Sequence, residues 1–359
     1  MSKRLKHRAA HAKRLPPVTI PTAFVMGMLS GVRSRGRLTD TLLIESGIAP
    51  ELLEQPNARV TTAQYLSLFR FLVERTNDEA FGLLSRPLKR GSFALIVRSC
   101  IGTPTLDVAL RRVAHTFSLL QDDVVLEPTQ EGSLAGMALS FVNPEIARAT
   151  FLHEFLIRVF WRLAAWLAGG SLPAARFDFG IPAPVHAATY EQVFPAPYRF
   201  DRYRSAFWFE ASLQKRAMTR DKLAVEAFLA DAPADLIVPR RGDYVVSGRT
   251  RAHLQQSVPA WPDLVATASA LHLSKSTLQR HLADEGTSFQ TLKDELRRDL
   301  AILRLTTSRV TLTALSAELG FADSAAFQRA FKNWTGSAPG SYRRERSGAG
   351  KNNARKTGR

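Results

Sequence analysis

The stretch LTALSAELGFADSAAFQRAFKNWTGSAPGSYRR, at residues 312–344, decides the fold of the C-terminal part of the chain. Thr311 precedes it as a helix-capping residue, and Gly320 is suited to the turn that ends a first short helix. Asp323 can then cap a second helix. The inward face of this second helix is apolar and consists of Phe327, Phe331 and Trp334. A short helix, a tight turn and a capped second helix together predict a helix-turn-helix unit.

An earlier copy of the pattern lies in LSKSTLQRHLADEGTSFQTLKDELR, at residues 273–297. It follows an apolar segment that Asp263 can cap, and Ser274 is suited to cap its second helix. The two copies align at an offset of 49 residues. The matched positions are Ala268 and Ala317, Ser274 and Asp323, Leu278 and Phe327, Gln279–Arg280 and Gln328–Arg329, and Leu282 and Phe331. A repeat at constant offset predicts two helix-turn-helix units rather than one.

Such a unit presents the N-terminal side of its second helix to the major groove of DNA. In the first unit the predicted DNA-binding residues are Ser274, Lys275, Ser276, Thr277, Gln279 and Arg280. In the second unit they are Ser324, Ala325, Gln328, Arg329 and Lys332. Arginine fits guanine, glutamine fits adenine, and hydroxyls and lysines can bind phosphate. If only one such helix were present, the simpler interpretation would be that these polar side chains are merely solvated. Their recurrence in two copies at a constant offset favours contact with DNA.

Between the two copies, Ser288 can cap a helix predicted over Phe289–Leu305. At 1.5 Å per residue this helix would be about 25 Å long. One turn of DNA measures about 34 Å. A linker helix of this length can therefore hold two reading helices at adjacent major-groove segments of one duplex.

The chain upstream of residue 230 alternates helical and strand-like segments. Helices are predicted after Thr61 or Thr62, after Thr105, and over 144–167; strands are predicted at 124–126, 137–142, 176–179 and 206–209. The predicted fold is thus an α+β domain at 21–230, a linker at 231–244, and an all-α domain of two helix-turn-helix units at 245–344. Residues 1–20 and 345–359 are predicted to be disordered basic tails.

Composition limits the classes of function. Cys100 is the only cysteine, which excludes an intramolecular disulfide and a cysteine-based zinc site and fits a reducing cytoplasm. The net charge is +17, but residues 1–14 and 343–359 together supply 12 of it. Basic tails bind DNA, RNA and acidic lipid alike, so charge alone does not establish DNA binding. The apolar run at 151–170 carries four charged or histidine side chains, which predicts an amphipathic helix rather than a membrane span.

The sequences quoted above resemble the AraC-type family of bacterial transcription regulators over residues 245–344, most specifically in the pattern FxRAFKxWTGxxPxxYR. Ala325 and Ala326 depart from a polar reading surface, so the second unit is expected to bind mainly the DNA backbone, through Arg329. Residues 47–70, 91–113 and 194–201 resemble the arabinose-binding-type sensor domain of one branch of this family. The resemblance implies a small-molecule effector, a homodimer and transcription activation, which would involve RNA polymerase.

The residues weighed as effector contacts are His153, Trp161, Phe177 and Trp208, although aromatic side chains at such spacing are more often core. No nucleotide loop, nucleophile elbow or metal cluster is recognisable, so neither a cofactor nor a metal is expected. A cytoplasmic, non-enzymatic protein with double-stranded DNA as its partner is the prediction. Two alternatives stay open: an N-terminal enzyme tethered to DNA, and a non-specific DNA-binding protein driven by the basic tails.

Overall fold

The computed structural model describes residues 19–55, 57–218, 220–237 and 245–343. Most of the two predicted disordered tails lies outside these residues. Thr19 and Ile20, which the sequence assigned to the N-terminal arm, belong instead to the folded domain. Both are buried, because their strand pairs with residues 60–61.

The N-terminal domain is α+β, as predicted. Its elements are β1 (Thr19–Pro21), α1 (Thr22–Ser34), α2 (Asp40–Glu45), β2 (Arg59–Thr61), α3 (Thr62–Thr76), α4 (Ser92–Ser99), α5 (Leu106–Leu120), β3 (Val124–Glu131), β4 (Leu134–Phe141), α6 (Pro144–Ala147), α7 (Thr150–Leu167), β5 (Arg176–Asp178), β6 (Tyr198–Arg199), β7 (Ser205–Glu210) and α8 (Lys222–Ile237). Short 3-10 segments occur at Pro50–Glu54, Ala187–Gln192 and Ala211–Lys215.

The strands form two sheets. β1 and β2 make a small antiparallel pair, and the other five strands lie in the order β3-β4-β7-β5-β6. β5 and β6 run parallel, while the other neighbouring pairs in this sheet are antiparallel.

Thr61 begins α3 with a capping box, because its hydroxyl accepts from the Gln64 amide and the Gln64 side chain accepts from the Thr61 amide.

Helix α7 is the central helix of this domain and is buried on nearly every side. The sequence predicted an amphipathic helix over this run, but Glu154, Arg158 and Arg162 are buried too. The Glu154 carboxylate accepts hydrogen bonds from the Tyr190 hydroxyl at 2.5 Å and from the His186 ring at 2.6 Å. Internal partners therefore replace the solvent that the pattern had implied.

Helix α8 corrects the predicted linker boundary. The helix extends to Ile237 and includes Pro233, so residues 231–237 belong to the N-terminal domain rather than to the linker. Its apolar side chains explain the extension: Ala232 and Leu236 are buried in the domain core, and Phe228 stacks on Trp166 with ring centroids 4.3 Å apart. Residues 238–244 of the predicted linker lie outside the described residues.

Residues 245–343 form an all-α domain with no strand among its described residues, as predicted. Its elements are α9 (Val245–Gln256), α10 (Leu264–Ala270), α11 (Lys275–Asp284), α12 (Phe289–Thr307), α13 (Leu312–Glu318), α14 (Ser324–Thr335) and a 3-10 turn at Pro339–Tyr342. In the part of the chain that the structure describes, no helix is both long and apolar enough to cross a membrane.

The two domains share a buried cluster. Leu52 and Ala58 of the N-terminal domain pack with Trp261, Leu296 and Ile302 of the C-terminal domain. β2 also contacts α12 directly. Helix α12, which connects the two helix-turn-helix units, therefore also packs against the N-terminal domain.

Candidate nucleic-acid interface

The first helix-turn-helix unit consists of α10 and α11. The Asp263 carboxylate accepts from the Ala266 amide at 2.8 Å and begins α10, and the Ser274 hydroxyl accepts from the Thr277 amide at 3.1 Å and begins α11. Between them, His272 has a positive φ of 58°, which turns the chain. Leu278 and Leu282 of α11 are fully buried. The predicted caps and the predicted core pair are thereby confirmed.

The second unit consists of α13 and α14. The Thr311 hydroxyl accepts from the Ala314 amide at 3.1 Å, and the Asp323 carboxylate accepts from the Ala326 amide at 2.6 Å. Gly336 ends α14 in the left-handed conformation, with φ of 75°. Phe327 and Phe331 are fully buried. Here too the local pattern produced the elements that the sequence predicted.

The turn of the second unit is one residue longer than that of the first, which corrects the alignment of the repeat. The Leu273 amide donates to the Ala268 carbonyl, and the Phe321 amide donates to the Ser316 carbonyl, both at 2.9 Å. Ala268 therefore corresponds to Ser316, which is buried, and not to Ala317, which is exposed. The first helices of the units are offset by 48 residues and the second helices by 49.

The structure leaves the predicted DNA-binding residues accessible. The exposed members of the set are Ser274, Lys275, Ser276, Gln279, Arg280, Ala325, Gln328, Arg329 and Lys332. Thr277 and Ser324 are half-buried. The Ser274 hydroxyl accepts the Thr277 amide as the cap of α11, so its own O–H can still donate to an anion at this helix N-terminus. The DNA-contact role of all eleven residues stays a prediction.

Trp261 joins the two units, a role that the sequence did not indicate. It lies just before α10, and its indole N–H donates to the Glu318 carbonyl of α13 at 2.9 Å. The Arg297 guanidinium of α12 lies 4.9 Å from the Trp261 ring and 5.1 Å from the Phe321 ring. Burial lowers the pKa of Arg297, and nearby Asp294 opposes this effect. The contacts tie the start of one unit to the turn of the other.

Gly320 makes this junction possible. Its φ is +72°, and a Cβ at this position would lie 2.9 Å from the Trp261 ring. A larger residue would be strained at this φ and would also push against the indole. The glycine of the second turn thus serves the contact between units as well as the turn itself.

A buried ionic network holds α12 against α9 and the N-terminal domain. Asp299 is fully buried, and its carboxylate accepts from Arg251 of α9 at 2.6 Å and from Thr19 of β1 at 2.5 Å. Arg298 adds a weaker bond at 3.3 Å. The Arg59 guanidinium donates to both the hydroxyl and the carbonyl of Thr19 at 2.7 Å. Sequence reasoning missed this network because its charged members look like ordinary surface residues and Thr19 lies at the edge of the predicted N-terminal arm.

The four residues weighed as effector contacts lie in the core of the N-terminal domain. The His153 ring bonds to the Ser205 hydroxyl at 2.7 Å and to the Ala147 carbonyl at 2.8 Å. The indoles of Trp161 and Trp208 donate to the Leu172 carbonyl and the Asp178 carboxylate. Phe177 packs at 5.4 Å, edge to face, against Trp161. Each thus has a structural role, and its ligand-binding role stays a prediction.

The described residues show no grouping of three or more histidine, cysteine or acidic side chains that could hold a metal ion. Burial raises the pKa of the Cys100 thiol to about 11, so at neutral pH the sulfur is protonated.

Two protein-family models match the chain. The model of the arabinose-binding domain of AraC transcription regulators matches residues 36–218, and the model of a helix-turn-helix domain matches residues 267–345. The chain belongs to the AraC family of transcription regulators. Both family resemblances drawn from the sequence are thereby confirmed.

Relatives with known names are transcription regulators. The ornithine utilization regulator of Pseudomonas aeruginosa is 27% identical over 325 residues, which cover 90% of this chain and 96% of the relative. The regulator VqsM of the same organism is 30% identical over 177 residues, which cover 46% of this chain and 54% of VqsM. Among solved structures, the transcriptional regulator CdpR from P. aeruginosa is 21% identical with a TM-score of 0.31, covering 85% of this chain and 96% of CdpR. The helix-turn-helix family match and the relative that covers 90% of the chain identify this AraC-family protein as a DNA-binding transcription regulator.

Proposed function

We propose that this AraC-family regulator inserts α11 and α14 into adjacent major-groove segments of one DNA duplex, and that a small effector bound by its N-terminal domain controls this binding. The observation that carries the proposal is the pair of capped helices whose polar leading faces are exposed. Their chemistry suits direct readout in the first unit, through Gln279 and Arg280. In the second unit, Ala325 offers little to read, so Arg329 and Lys332 act mainly on phosphates.

The length of the helix that connects the two units supports simultaneous insertion. α12 runs for 19 residues, two more than the sequence predicted, and would measure about 28 Å. This helix and the hydrogen bond from Trp261 to the Glu318 carbonyl connect the two units directly, which restricts their movement relative to each other. A fixed spacing favours operators whose two half-sites stand one helical turn apart.

The contacts between domains support effector control. A ligand shifts a regulator between states only when it interacts differently with those states. The N-terminal domain contacts α12 directly, through the Thr19–Asp299 hydrogen bond and the packing of Leu52 and Ala58. We take the active species to be a homodimer in the cytoplasm that activates transcription through RNA polymerase. Since the relative of P. aeruginosa is named for ornithine utilization, ornithine is one effector worth testing.

Selection of bound fragments from random DNA, with the full chain, tests the proposal. The expected product is a bipartite motif with half-sites about one helical turn apart. The variant Arg280→Ala should lose a base preference in one half-site. Arg202→Ala, which removes an exposed arginine from the N-terminal domain, is the matched control. Recovery of unrelated sequences, or of one short motif, would contradict the proposal.

The two alternative functions predict other results. If the basic tails drove binding, deleting 1–14 and 345–359 would abolish it and the selected DNA would show no motif. If the N-terminal domain were an enzyme, metabolites would be converted by the full chain rather than merely bound. The recurrence of complete helix-turn-helix units favours the regulator over both.

A further inference from the structure

A cavity of about 450 Å³ lies in the N-terminal domain between α3, α4, α5, α7 and α8. Its walls are mainly aromatic and aliphatic. Members of this lining include Phe69, Val73, Phe93, Phe155, Phe160 and Leu236. The volume lies in the range of small-molecule sites, and the lining suits a ligand whose body is apolar.

The cavity also has a charged rim, formed by Arg70 and Glu74 of α3 and by Glu79 and Arg90 of the loop before α4. The two carboxylate oxygens of Glu79 accept from the Gly91 amide at 2.7 Å and the Phe93 amide at 2.8 Å. Glu79 therefore holds the start of α4. Arg70 and Arg90 are exposed and form no ion pair with any residue that the structure describes.

We propose that this cavity binds an apolar carboxylate, whose hydrocarbon or aromatic body fills the cavity and whose anionic group is held by Arg70 and Arg90. A guanidinium presents paired donors that match the two oxygens of a carboxylate, so these side chains recognise the acid rather than a neutral analogue. A sugar would leave many hydroxyls without partners against phenylalanine walls. The inference rests on the effector control proposed above and names the effector's chemical class.

The same walls connect the cavity to the DNA-binding domain. α3 follows β2 without a break, and β2 contacts α12. α8 supplies Leu229, Ala232 and Leu236 to the lining and is the last element of the N-terminal domain that the structure describes. A molecule in the cavity therefore contacts α3, which continues directly from the strand that packs on α12, and α8. Its binding energy can thus bias the position of those units.

Titration calorimetry on the full chain tests the proposal, with decanoate, decan-1-ol, ornithine and arabinose as probes. Decanoate should bind more tightly than decan-1-ol. The double variant Arg70→Gln/Arg90→Gln should weaken decanoate binding by at least about tenfold, as expected for lost charge-assisted bonds, and change decan-1-ol binding by less than about twofold. Arg75→Gln is the matched control, because Arg75 lies on the same helix and is absent from the cavity lining.

Equal affinity for decanoate and decan-1-ol, or unchanged decanoate binding in the double variant, would overturn the proposal, as would binding of ornithine or arabinose in place of decanoate. Ala94→Phe fills the cavity and should abolish binding of decanoate while DNA binding persists. Unchanged decanoate binding in this variant would also overturn it. If Ala94→Phe does not fold, the two arginine substitutions decide the matter.

DNA binding without any probe, measured on the same preparations, separates two kinds of failure. A wild-type chain that selects no bipartite DNA motif contradicts the proposed function. A chain that selects such a motif but fails to bind decanoate contradicts only the assignment of the ligand class.

Discussion

The hydroxyl of Thr19 donates a hydrogen bond to the carboxylate of Asp299 at 2.5 Å, across 280 residues of sequence. Thr19 lies on the first strand of the N-terminal domain, and Asp299 lies on α12, between the two helix-turn-helix units. The bond thus joins the domain that holds the cavity to the helix that connects the two helix-turn-helix units.

Asp299→Asn should destabilise the junction between domains. The substitution removes the negative charge that Arg251 and Arg298 share, and loss of one partner of a buried ion pair typically costs about 3–5 kcal/mol. We expect a lower midpoint of urea unfolding for the C-terminal domain. Asp294→Asn, five residues earlier on α12 and half-buried, is the control and should shift the midpoint far less. An unchanged midpoint for Asp299→Asn would show that the network adds no stability.

The variants Arg280→Ala and Arg329→Ala should affect DNA binding in different ways. Arg280 is expected to read a base, so its loss should cost about 1–3 kcal/mol at the selected operator and relax one position. Arg329 is expected to bind phosphate, so its loss should weaken all duplexes alike and reduce the salt dependence by about one counterion. Equilibrium binding to matched and mutated operators at several salt concentrations measures both. Uniform loss in both variants would leave the first unit without a base-reading role.

Trp261→Phe should uncouple the two units while each stays folded. The variant keeps an aromatic ring beside Arg297 and removes the N–H that bonds to Glu318. Affinity for a two-site operator should fall, because the relative orientation of α11 and α14 is no longer fixed. Affinity for a DNA with only one half-site should change little. Trp166→Phe, in the N-terminal domain, is the control for both DNAs. An equal loss on both DNAs would mean that Trp261 merely supports one unit.

His153 should make the stability of the N-terminal domain depend on pH. Burial lowers its pKa to about 4, whereas an unfolded histidine titrates near 6.5. Between these values the unfolded chain binds more protons, so stability is complete above about pH 6.5 and declines as pH falls toward 4, by up to about 3 kcal/mol. Urea unfolding at several pH values measures this slope.

The variant His153→Gln should show a shallower pH dependence than the wild type, because the buried side chain no longer titrates. His115→Gln, at an exposed position on α5, is the control and should leave the slope in place. A slope that survives His153→Gln unchanged would assign the pH dependence to other groups.

The local pattern was enough to predict the helix-turn-helix units. Ser274, Thr311 and Asp323 begin helices as expected because a cap and its apolar face lie within a few residues of each other. The predicted repeat was wrong by one residue in α13, since a turn can gain Ala322 without disturbing either helix. Caps and apolar spacing therefore predict where the helices lie, whereas the length of the turn between two helices depends on how they pack.

The buried polar residues could not be predicted in the same way. Asp299 is a charged residue among the leucines of α12, and its partners Thr19 and Arg251 come from β1 and α9, far from it in the sequence. Glu154 of α7 looks like a solvated charge until Tyr190 and His186 are brought to it from the segment after β5. The cavity has the same origin, because five separate elements form its walls. Such features depend on long-range contacts that leave no local periodicity.

Hydroxyl-radical footprinting of one selected operator tests the central claim most directly, which is that one chain reads two adjacent major-groove segments. We expect two protected patches on the same face of the duplex, about one helical turn apart, and loss of one patch when 5 base pairs (roughly half a turn) are inserted between the half-sites. A single protected patch, or equal protection of the operator with the insertion, would contradict the account.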